Sequence, residues 1–357
     1  MQRCGIIEVG TRGIRLVVAQ QSRKNPRGFE VLRTRGGLVN LGNNLSPDNP
    51  MMSLDRMEAA ATMVEEFFRE AADFQPDHIV VLATEVLRRA QNTDEYLDML
   101  PEGLPVFILS PAQEAALSFR AAADSFRGHH LRGGEMAFGP LLLVDLGGGS
   151  AEVVAGWFGA SAAETSIGST LHLPDLGSVG MQSYFDFASG TPIERAAKLE
   201  RYVRQMWEDQ PLMEFGREIQ ERSDGLVEAN PPEAAPYSVA ALGSAATELA
   251  WRLRGASPQS FRSRDVHGQR VMADAAAEFS DKVRSELPEN VEDITDEMRK
   301  DMGLLFGTYV FDSIMKTYDS DHFRVCGFGL RFGAAASLLE ENGDFPPSAP
   351  EALTRRR

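Results

Sequence analysis

The chain has 357 residues, with 36 Lys and Arg against 52 Asp and Glu, which gives a formal net charge of −16. This length predicts two domains, and the acidic total argues against a nucleic-acid-binding protein, which needs a basic face for phosphates. The acidic total still allows a small phosphorylated ligand to bind in a local pocket. Because no apolar run is long enough to span a bilayer, we expect a cytoplasmic protein without membrane partners.

Apolar strand patterns alternate with helical patterns along the chain, which is typical of an α/β protein. In chain order, the predicted strands are Cys4–Val9, Ile14–Ala19, Phe29–Thr34, His78–Ala83, Val106–Leu109, Leu141–Leu146, Glu152–Trp157, Ser238–Leu242 and Phe323–Gly327. The predicted helices include Leu54–Asp73, Ala112–Phe126, Ala245–Leu253, Val271–Leu287 and Asp296–Tyr318. Apolar residues at spacings of three and four, such as Met57, Ala61 and Val64, indicate the first of these helices.

Two loop-rich stretches, residues 127–140 and 223–236, interrupt this alternation. Their Gly and Pro residues are typical of loops. The first stretch predicts a domain boundary, so that residues 1–130 form an N-terminal domain and residues 131–345 form a C-terminal domain. The last residues, 346–357, are expected to be a disordered tail.

Two segments of the chain share one pattern. The segment around Glu8 has an apolar strand, an acid, a turn with glycine and a second apolar strand, and the segment around Asp145 repeats this order 137 residues later. Such a hairpin places a carboxylate at a strand end and exposes turn N–H groups that suit phosphate oxygens. One hairpin alone would be typical of an ordinary glycine turn. The repeat predicts a duplicated fold in which two hairpins hold a phosphate and its metal ion.

Five segments, in order, resemble the Ppx/GppA family of exopolyphosphatases and guanosine pentaphosphate phosphohydrolases. They are Ile6–Leu16, Ala83–Asn92, Ile108–Ala115, Leu143–Glu152 and Gly329–Gly333. The resemblance implies duplicated actin-like ATPase (ribonuclease H-like) domains with a cleft between them. It also implies a hydrolase that uses Mg²⁺ to release the terminal phosphate from polyphosphate or guanosine pentaphosphate, and it allows a homodimer.

The resemblance assigns roles to single residues. Glu114 matches the general base, and Arg88 matches a phosphate-binding arginine whose guanidinium can grip two oxygens at once. Asp145, Glu152 and Glu8 match carboxylates associated with the metal ion or the water. The phosphate contacts are expected from Thr11, Arg12, Gly13, Gly147, Gly148, Gly149 and Ser150. The alternatives are a solvated helix glutamate for Glu114, an ion pair for Arg88 and a turn cap for Asp145.

The first hairpin departs from the family pattern Asp-x-Gly-Ser-Asn-Ser, because this chain has Glu8 in place of Asp and continues with Thr11, Arg12 and Gly13. The longer Glu arm moves a metal-bound oxygen by about an ångström, which can lower a rate strongly. Arg12 either replaces lost hydrogen bonds or fills the phosphate space. Three further departures are Pro111 and Ala246 in place of Gly, and Gln113 in place of an acid. These changes predict a divergent phosphatase.

Two other functions stay open at this stage. A kinase or ATPase of the same superfold would share the acidic hairpins, and a non-catalytic sensor would bind guanosine polyphosphates or polyphosphate without cleaving them. The net charge of −16 favours short contact with a polyanion, because a long grip needs a long basic path. A short chain end or a nucleotide-linked phosphate is therefore the expected substrate.

Overall fold

The structure is a computed structural model, and it describes residues 1–340 except 26, 44, 46–48, 128–135, 137, 175, 209–236 and 256–260. The tail at 346–357, the loop at 223–236 and most of the boundary loop at 127–140 lie outside these residues. The described chain divides into two compact units. Unit 1 contains residues 1–127, 147–150 and 329–340, and unit 2 contains the described residues of 128–146 and 151–328.

The described residues form eleven strands and ten α-helices. The strands are β1 (Arg3–Val9), β2 (Gly13–Gln21), β3 (Phe29–Leu38), β4 (His78–Ala83), β5 (Val106–Ile108), β6 (Gly139–Leu146), β7 (Ala151–Phe158), β8 (Ser166–Leu173), β9 (Ser238–Leu242), β10 (Arg270–Met272) and β11 (His322–Val325). The helices are α1 (Leu54–Ala72), α2 (Glu85–Arg89), α3 (Thr93–Asp98), α4 (Pro111–Phe126), α5 (Ser178–Phe187), α6 (Pro192–Glu208), α7 (Ser244–Leu253), α8 (Ala273–Ser285), α9 (Asp296–Thr317) and α10 (Leu330–Leu339).

The sheet of unit 1 has the strand order β3-β2-β1-β4-β5. Strands β1, β2 and β3 pair antiparallel, whereas β4 pairs parallel to β1 and to β5. Helix α1 buries Met57, Ala60, Val64 and Phe67, which lie at spacings of three and four, in the core of this unit. Helix α10 packs on α4 and on β1. The sheet that carries the site residues of unit 1 is therefore packed against α1 and α10.

The sheet of unit 2 has the strand order β10-β11-β9-β6-β7-β8. Read from β8 to β11, this order repeats the one in unit 1, and β10 adds an antiparallel strand at the edge. The central strands β6 and β9 pair parallel, and β6, β7 and β8 pair antiparallel. The duplication predicted from the sequence is thus a duplication of sheet topology, and the α/β fold class is confirmed.

The two glycine turns repeat the same backbone hydrogen bond. Gly10 N donates to Gly13 O at 3.0 Å, and Gly147 N donates to Ser150 O, also at 3.0 Å. Both the donors and the acceptors are 137 residues apart along the chain. The repeat therefore extends from strand order to the geometry of the turn.

The units differ from the predicted domains at the C-terminal end of the described chain. Helix α10 groups with unit 1, whereas the sequence division placed this segment with residues 131–345. Gly333 allows the contact of α10 with α4, because a Cβ at this position would collide with the carbonyl of Leu117. A chain segment distant in sequence thus completes unit 1. Among the described helices, none is both long enough and apolar enough to cross a membrane.

Candidate active site

Glu114 lies in the first turn of α4, and only 9% of the residue is exposed. Ser110 caps this helix: its hydroxyl accepts from Gln113 N, while the side chain of Gln113 accepts from Ser110 N at 2.9 Å. This reciprocal capping box satisfies two N–H groups, and a Gln serves in it as well as an acid does. Pro111 occupies the first helical position, where the missing N–H costs no hydrogen bond. Both departures from the family pattern are therefore compatible with the helix that carries Glu114.

Arg88 connects Glu114 to a second buried carboxylate, Glu85. Arg88 Nη1 donates to Glu114 Oε2 at 2.8 Å and to Leu109 O at 2.6 Å. Its Nε and Nη2 both donate to Glu85 Oε2, at 3.0 and 2.7 Å. Burial opposes the charge of the guanidinium, but Glu114 and Glu85 outweigh burial and raise the pKa of Arg88 above its ordinary value. Arg88 is therefore a cation held between two carboxylates.

These contacts change the chemistry expected of Arg88. A guanidinium has five N–H groups, and four of those in Arg88 are directed at Glu85, Glu114 and Leu109. One N–H on Nη2 remains for a ligand. Arg88 cannot grip two phosphate oxygens while these contacts stand, and the ion-pair alternative describes its surroundings better.

Glu8 lies at the end of β1, and both of its carboxylate oxygens contact arginines. Oε1 is 3.2 Å from Arg15 Nη1, and Oε2 is 3.3 Å from Arg331 Nη1. Burial would raise the pKa of Glu8, but Arg15 and Arg331 outweigh burial and lower it. Two guanidinium groups thus supply the positive charge that a metal ion would supply, so this surrounding does not fit the predicted role of Glu8 as a metal ligand.

The first turn is closely packed in unit 1. Thr11 is buried, and its carbonyl accepts from Gly42 N, whereas Arg12 is exposed. A Cβ on Gly13 would lie 2.8 Å from the backbone oxygen of Gly37, which explains why glycine replaces the Ser of the family pattern. Gly13 is therefore needed for packing, whatever its part in phosphate binding.

The second turn, Gly147–Ser150, groups with unit 1 and lies beside the first turn there. A Cβ on Gly149 would collide with Thr11 Oγ1, and a Cβ on Gly148 would lie 2.8 Å from Arg12 Cγ. Glycine at both positions is thus required by the close approach of the chain. The structure brings the predicted phosphate-binding residues of the two turns together within one compact unit.

In unit 2, Asp145 and Glu152 lie directly opposite each other in the β6-β7 register, and Glu152 lies opposite His172 of β8. Opposite residues project from the same face of a sheet, so the three side chains form one row. Glu152 is 2% exposed, and its Oε1 is 2.9 Å from His172 Nδ1. This arrangement gives the second hairpin two adjacent carboxylates, one of them fixed by a histidine.

The Asp145 and Glu152 pair fits a magnesium ion better than Glu8 does. Among the described residues, no group of three or more His, Cys, Asp or Glu is arranged to hold a metal. A cation would therefore depend on two carboxylates together with substrate oxygens, and this is the usual mode of binding for Mg²⁺.

The sequence also matches a model of a known protein family. The model of the Ppx/GppA phosphatase family matches residues 17–215, which is more than half of the chain. The chain belongs to the Ppx/GppA phosphatase family. The family predicted from the five motifs is thus confirmed, and with it the assignment to a family of phosphatases.

Two solved structures show that the family fold extends over nearly the whole chain. The Ppx/GppA enzyme of Aquifex aeolicus is 22% identical, with a TM-score of 0.69, and the match covers 94% of this chain and 99% of that one. An exopolyphosphatase from Cytophaga hutchinsonii is 15% identical, also with a TM-score of 0.69, and the match covers 95% and 98% of the two chains. At these identities the likeness establishes the two-domain actin-like fold.

One departure from the family pattern lies in the core of unit 2. Ala246 lies in α7 and is fully buried in the apolar cluster of that unit. The neighbouring Gly243 has a φ of 96°, and a Cβ there would collide with Leu146 O. Gly243 is therefore the position in this segment where the backbone requires glycine. The added Cβ of Ala246 fills core volume.

Sequence reasoning missed two residues of the candidate site, Glu85 and His172. The spacing of three between Glu85 and Arg88 in a predicted turn or helix was a signal for an ion pair. His172 gave no signal, because its role depends on the pairing register of β7 and β8. Only the strand pairing brings His172 beside Glu152.

Proposed function

We propose that this protein hydrolyses a terminal phosphoanhydride bond, in a polyphosphate chain end or in guanosine pentaphosphate, with Glu114 as the general base. The observation that carries the proposal is the nearly buried Glu114 carboxylate, which Arg88 holds at 2.8 Å in the chain of a Ppx/GppA phosphatase family member. A carboxylate fixed in this way can accept a proton from a water molecule without reorienting first.

The reaction needs one proton transfer and one displacement at phosphorus. Glu114 takes a proton from the attacking water, and the water oxygen forms a bond to the terminal phosphorus. The anhydride P–O bond breaks, and its electron pair stays with the departing phosphate chain. Turn N–H groups of Gly148 and Gly149 and the guanidinium of Arg12 supply positive potential for the charged oxygens.

We assign the magnesium ion to Asp145 and Glu152 and not to Glu8. When bound, Mg²⁺ neutralises phosphate charge and lowers the energy of the displacement. The assignment is supported by the surroundings of each acid: Glu8 has two arginine partners, whereas Asp145 and Glu152 lie side by side. The cytoplasmic location and the homodimer stay predictions.

Phosphate release tests the proposal directly. Purified protein with Mg²⁺ is incubated with polyphosphate, guanosine pentaphosphate, ATP or pyrophosphate, and free phosphate is measured. We expect release from polyphosphate or guanosine pentaphosphate, and a loss of at least about 100-fold in kcat for Glu114→Gln. The matched control is Asp124→Asn, which changes another buried acid of α4, ten residues and about 15 Å along the same helix.

Three results would contradict the proposal in different ways. Release from none of the four substrates by folded protein with Mg²⁺ would exclude the hydrolase. Saturable binding of guanosine polyphosphate that Glu114→Ala leaves unchanged, without hydrolysis, would identify the sensor instead. Tight ATP binding with slow turnover would favour the ATPase alternative.

A further inference from the structure

Glu85 is a buried acid to which the proposed chemistry assigns no role. It is the first residue of α2, and 5% of it is exposed. Its Oε2 accepts two N–H groups from Arg88, and its other oxygen, Oε1, is 4.0 Å from Arg89 Nε. A buried carboxylate is costly unless it is paired and hydrogen-bonded. Glu85 therefore has a strong and specific attachment to the arginine that holds Glu114.

Glu85 also lies next to a glycine turn of the phosphate-binding set. A Cβ on Gly149 would be 3.1 Å from Glu85 Cβ and 3.1 Å from its Cγ, and both residues belong to unit 1. The same side chain thus packs against the turn and holds Arg88. This position is independent of the ion pair and places Glu85 beside the predicted phosphate contacts.

We propose that Glu85 is a positioning residue, which fixes the guanidinium of Arg88 so that Arg88 Nη1 holds the Glu114 carboxylate in its reactive orientation. The inference rests on the proposed function of Glu114 as the general base. Nε and Nη2 both donate to one oxygen of Glu85, which holds one edge of the guanidinium, and Nη1 donates to Leu109 O on the other side, so the two contacts together fix the plane of the group. The plane in turn fixes the direction of Nη1 toward Glu114.

The charge balance of this cluster explains why an anchor is needed. One guanidinium contacts two carboxylates, and the side chains of these acids, Glu85 and Glu114, are only 6% and 11% exposed. Without Glu85, only the Nη1 contacts with Leu109 O and Glu114 hold the guanidinium, and it can turn toward an incoming phosphate. Glu114 then loses its fixed orientation, and small misplacements of a catalytic group lower the rate strongly.

Steady-state phosphate release from Glu85→Ala and Glu85→Gln tests the inference. We expect kcat to fall by about 10- to 100-fold in Glu85→Ala, with KM changed by less than about threefold. Glu85→Gln keeps an oxygen acceptor for Arg88, so we expect it to retain more of kcat than Glu85→Ala. All rates are referred to the folded fraction, which circular dichroism and thermal unfolding measure at the assay temperature.

Asp124→Asn is the matched control for a purely structural effect. Asp124 pairs with Arg127 three positions later at 2.8 Å, and the side chains are 10% and 13% exposed, so the pair resembles Glu85 with Arg88 in spacing and burial. Its removal is expected to lower the melting temperature and to leave kcat of the folded protein within about twofold. A loss of kcat as large as that of Glu85→Ala would overturn the positioning role.

A double-mutant cycle with Arg88→Ala separates positioning from other effects. If Glu85 acts through Arg88, Glu85→Ala added to Arg88→Ala causes no further fall in kcat, so the two losses are not additive. Full additivity, or an unchanged kcat in active Glu85→Ala protein, would overturn this inference and leave the proposed function intact. An inactive wild-type protein would instead overturn the proposed function, and the inference would fall with it.

Discussion

In the β1-β2 hairpin, the acid Glu8 lies opposite the base Arg15, whereas in the β6-β7 hairpin the acid Asp145 lies opposite a second acid, Glu152. The members of each equivalent pair are 137 residues apart, and the two turns share the Gly N–H to carbonyl hydrogen bond. Duplication has kept the backbone, and the side chains have diverged in charge. The first hairpin pairs an acid with a base, whereas the second places two acids opposite each other, and this difference is the ground on which we assign Mg²⁺ to the second hairpin.

Loss of an acid in the second hairpin has the largest expected effect. We expect Asp145→Asn and Glu152→Gln each to lower kcat for phosphate release by at least about 100-fold, because the remaining carboxylate alone binds Mg²⁺ weakly. Part of the activity should return at raised Mg²⁺ concentration, which a Mg²⁺ titration at saturating substrate measures. If Glu8→Gln produced the same Mg²⁺-dependent loss, the assignment of the cation to the second hairpin would be wrong.

Loss of the acid in the first hairpin is expected to affect stability more than catalysis. Glu8→Gln leaves Arg15 and the half-buried Arg331 without their shared carboxylate, which costs about 2 kcal/mol at pH 7. Because the pKa of folded Glu8 lies below its ordinary value of 4.5, the stabilisation is complete above about pH 5.5. It is lost as the pH falls through the lowered folded value.

Urea unfolding of wild type and Glu8→Gln at several pH values measures this dependence. The difference in the free energy of unfolding should be constant from about pH 7 to pH 5.5 and should shrink on further acidification. A difference that grew as the pH fell would show that Glu8 is not stabilised in its ionised form.

A third comparison concerns the glycine that closes the first turn. Gly13 corresponds to Ser150 of the second turn, and a Cβ at Gly13 would lie 2.8 Å from Gly37 O. Gly13→Ala should therefore destabilise the protein by about 1–3 kcal/mol through overpacking. The control Gly36→Ala places its Cβ 3.7 Å from the nearest atom, in ordinary contact, and should cost less. Thermal unfolding of the two variants measures the difference in stability. Equal losses of stability in Gly13→Ala and Gly36→Ala would contradict the packing argument.

The smallest expected effect concerns His172. In the second hairpin, His172 of β8 lies opposite Glu152, whereas in the first hairpin the residue of β3 opposite Arg15 is Gly36, which has no side chain. His172→Leu should lower kcat by about tenfold, because Glu152 loses the partner that orients it. His172→Asn, which keeps a nitrogen near the Nδ1 position, should recover most of the rate. The control is His322→Leu, which removes a similar contact between the first residue of β11 and the preceding Asp321. Rates that fell equally in the Leu and Asn variants would argue against an orienting hydrogen bond.

The sequence predicted the elements whose signal is local. The observed β4 and β9 have the predicted bounds, and α4 begins one residue from the predicted start at Ala112. Strands β8 and β10 were missed: β8 mixes polar residues and glycine and is mostly half-buried, and β10 has only three residues. Neither strand has an apolar alternation that a sequence pattern can detect, because pairing with a neighbour is what stabilises it.

The sequence by itself determined the family, the duplicated hairpins and the identity of Glu114, Arg88, Asp145 and Glu152 as candidates, since each depends on a short motif. Tertiary structure alone decided which charges meet. Arg331 reaches Glu8 across 323 positions of sequence, and His172 meets Glu152 through strand register. Whether an acid faces an arginine or a second acid depends on strand pairing and on partners that the fold brings from elsewhere in the chain, because the charge of a neighbour is not part of a local sequence pattern.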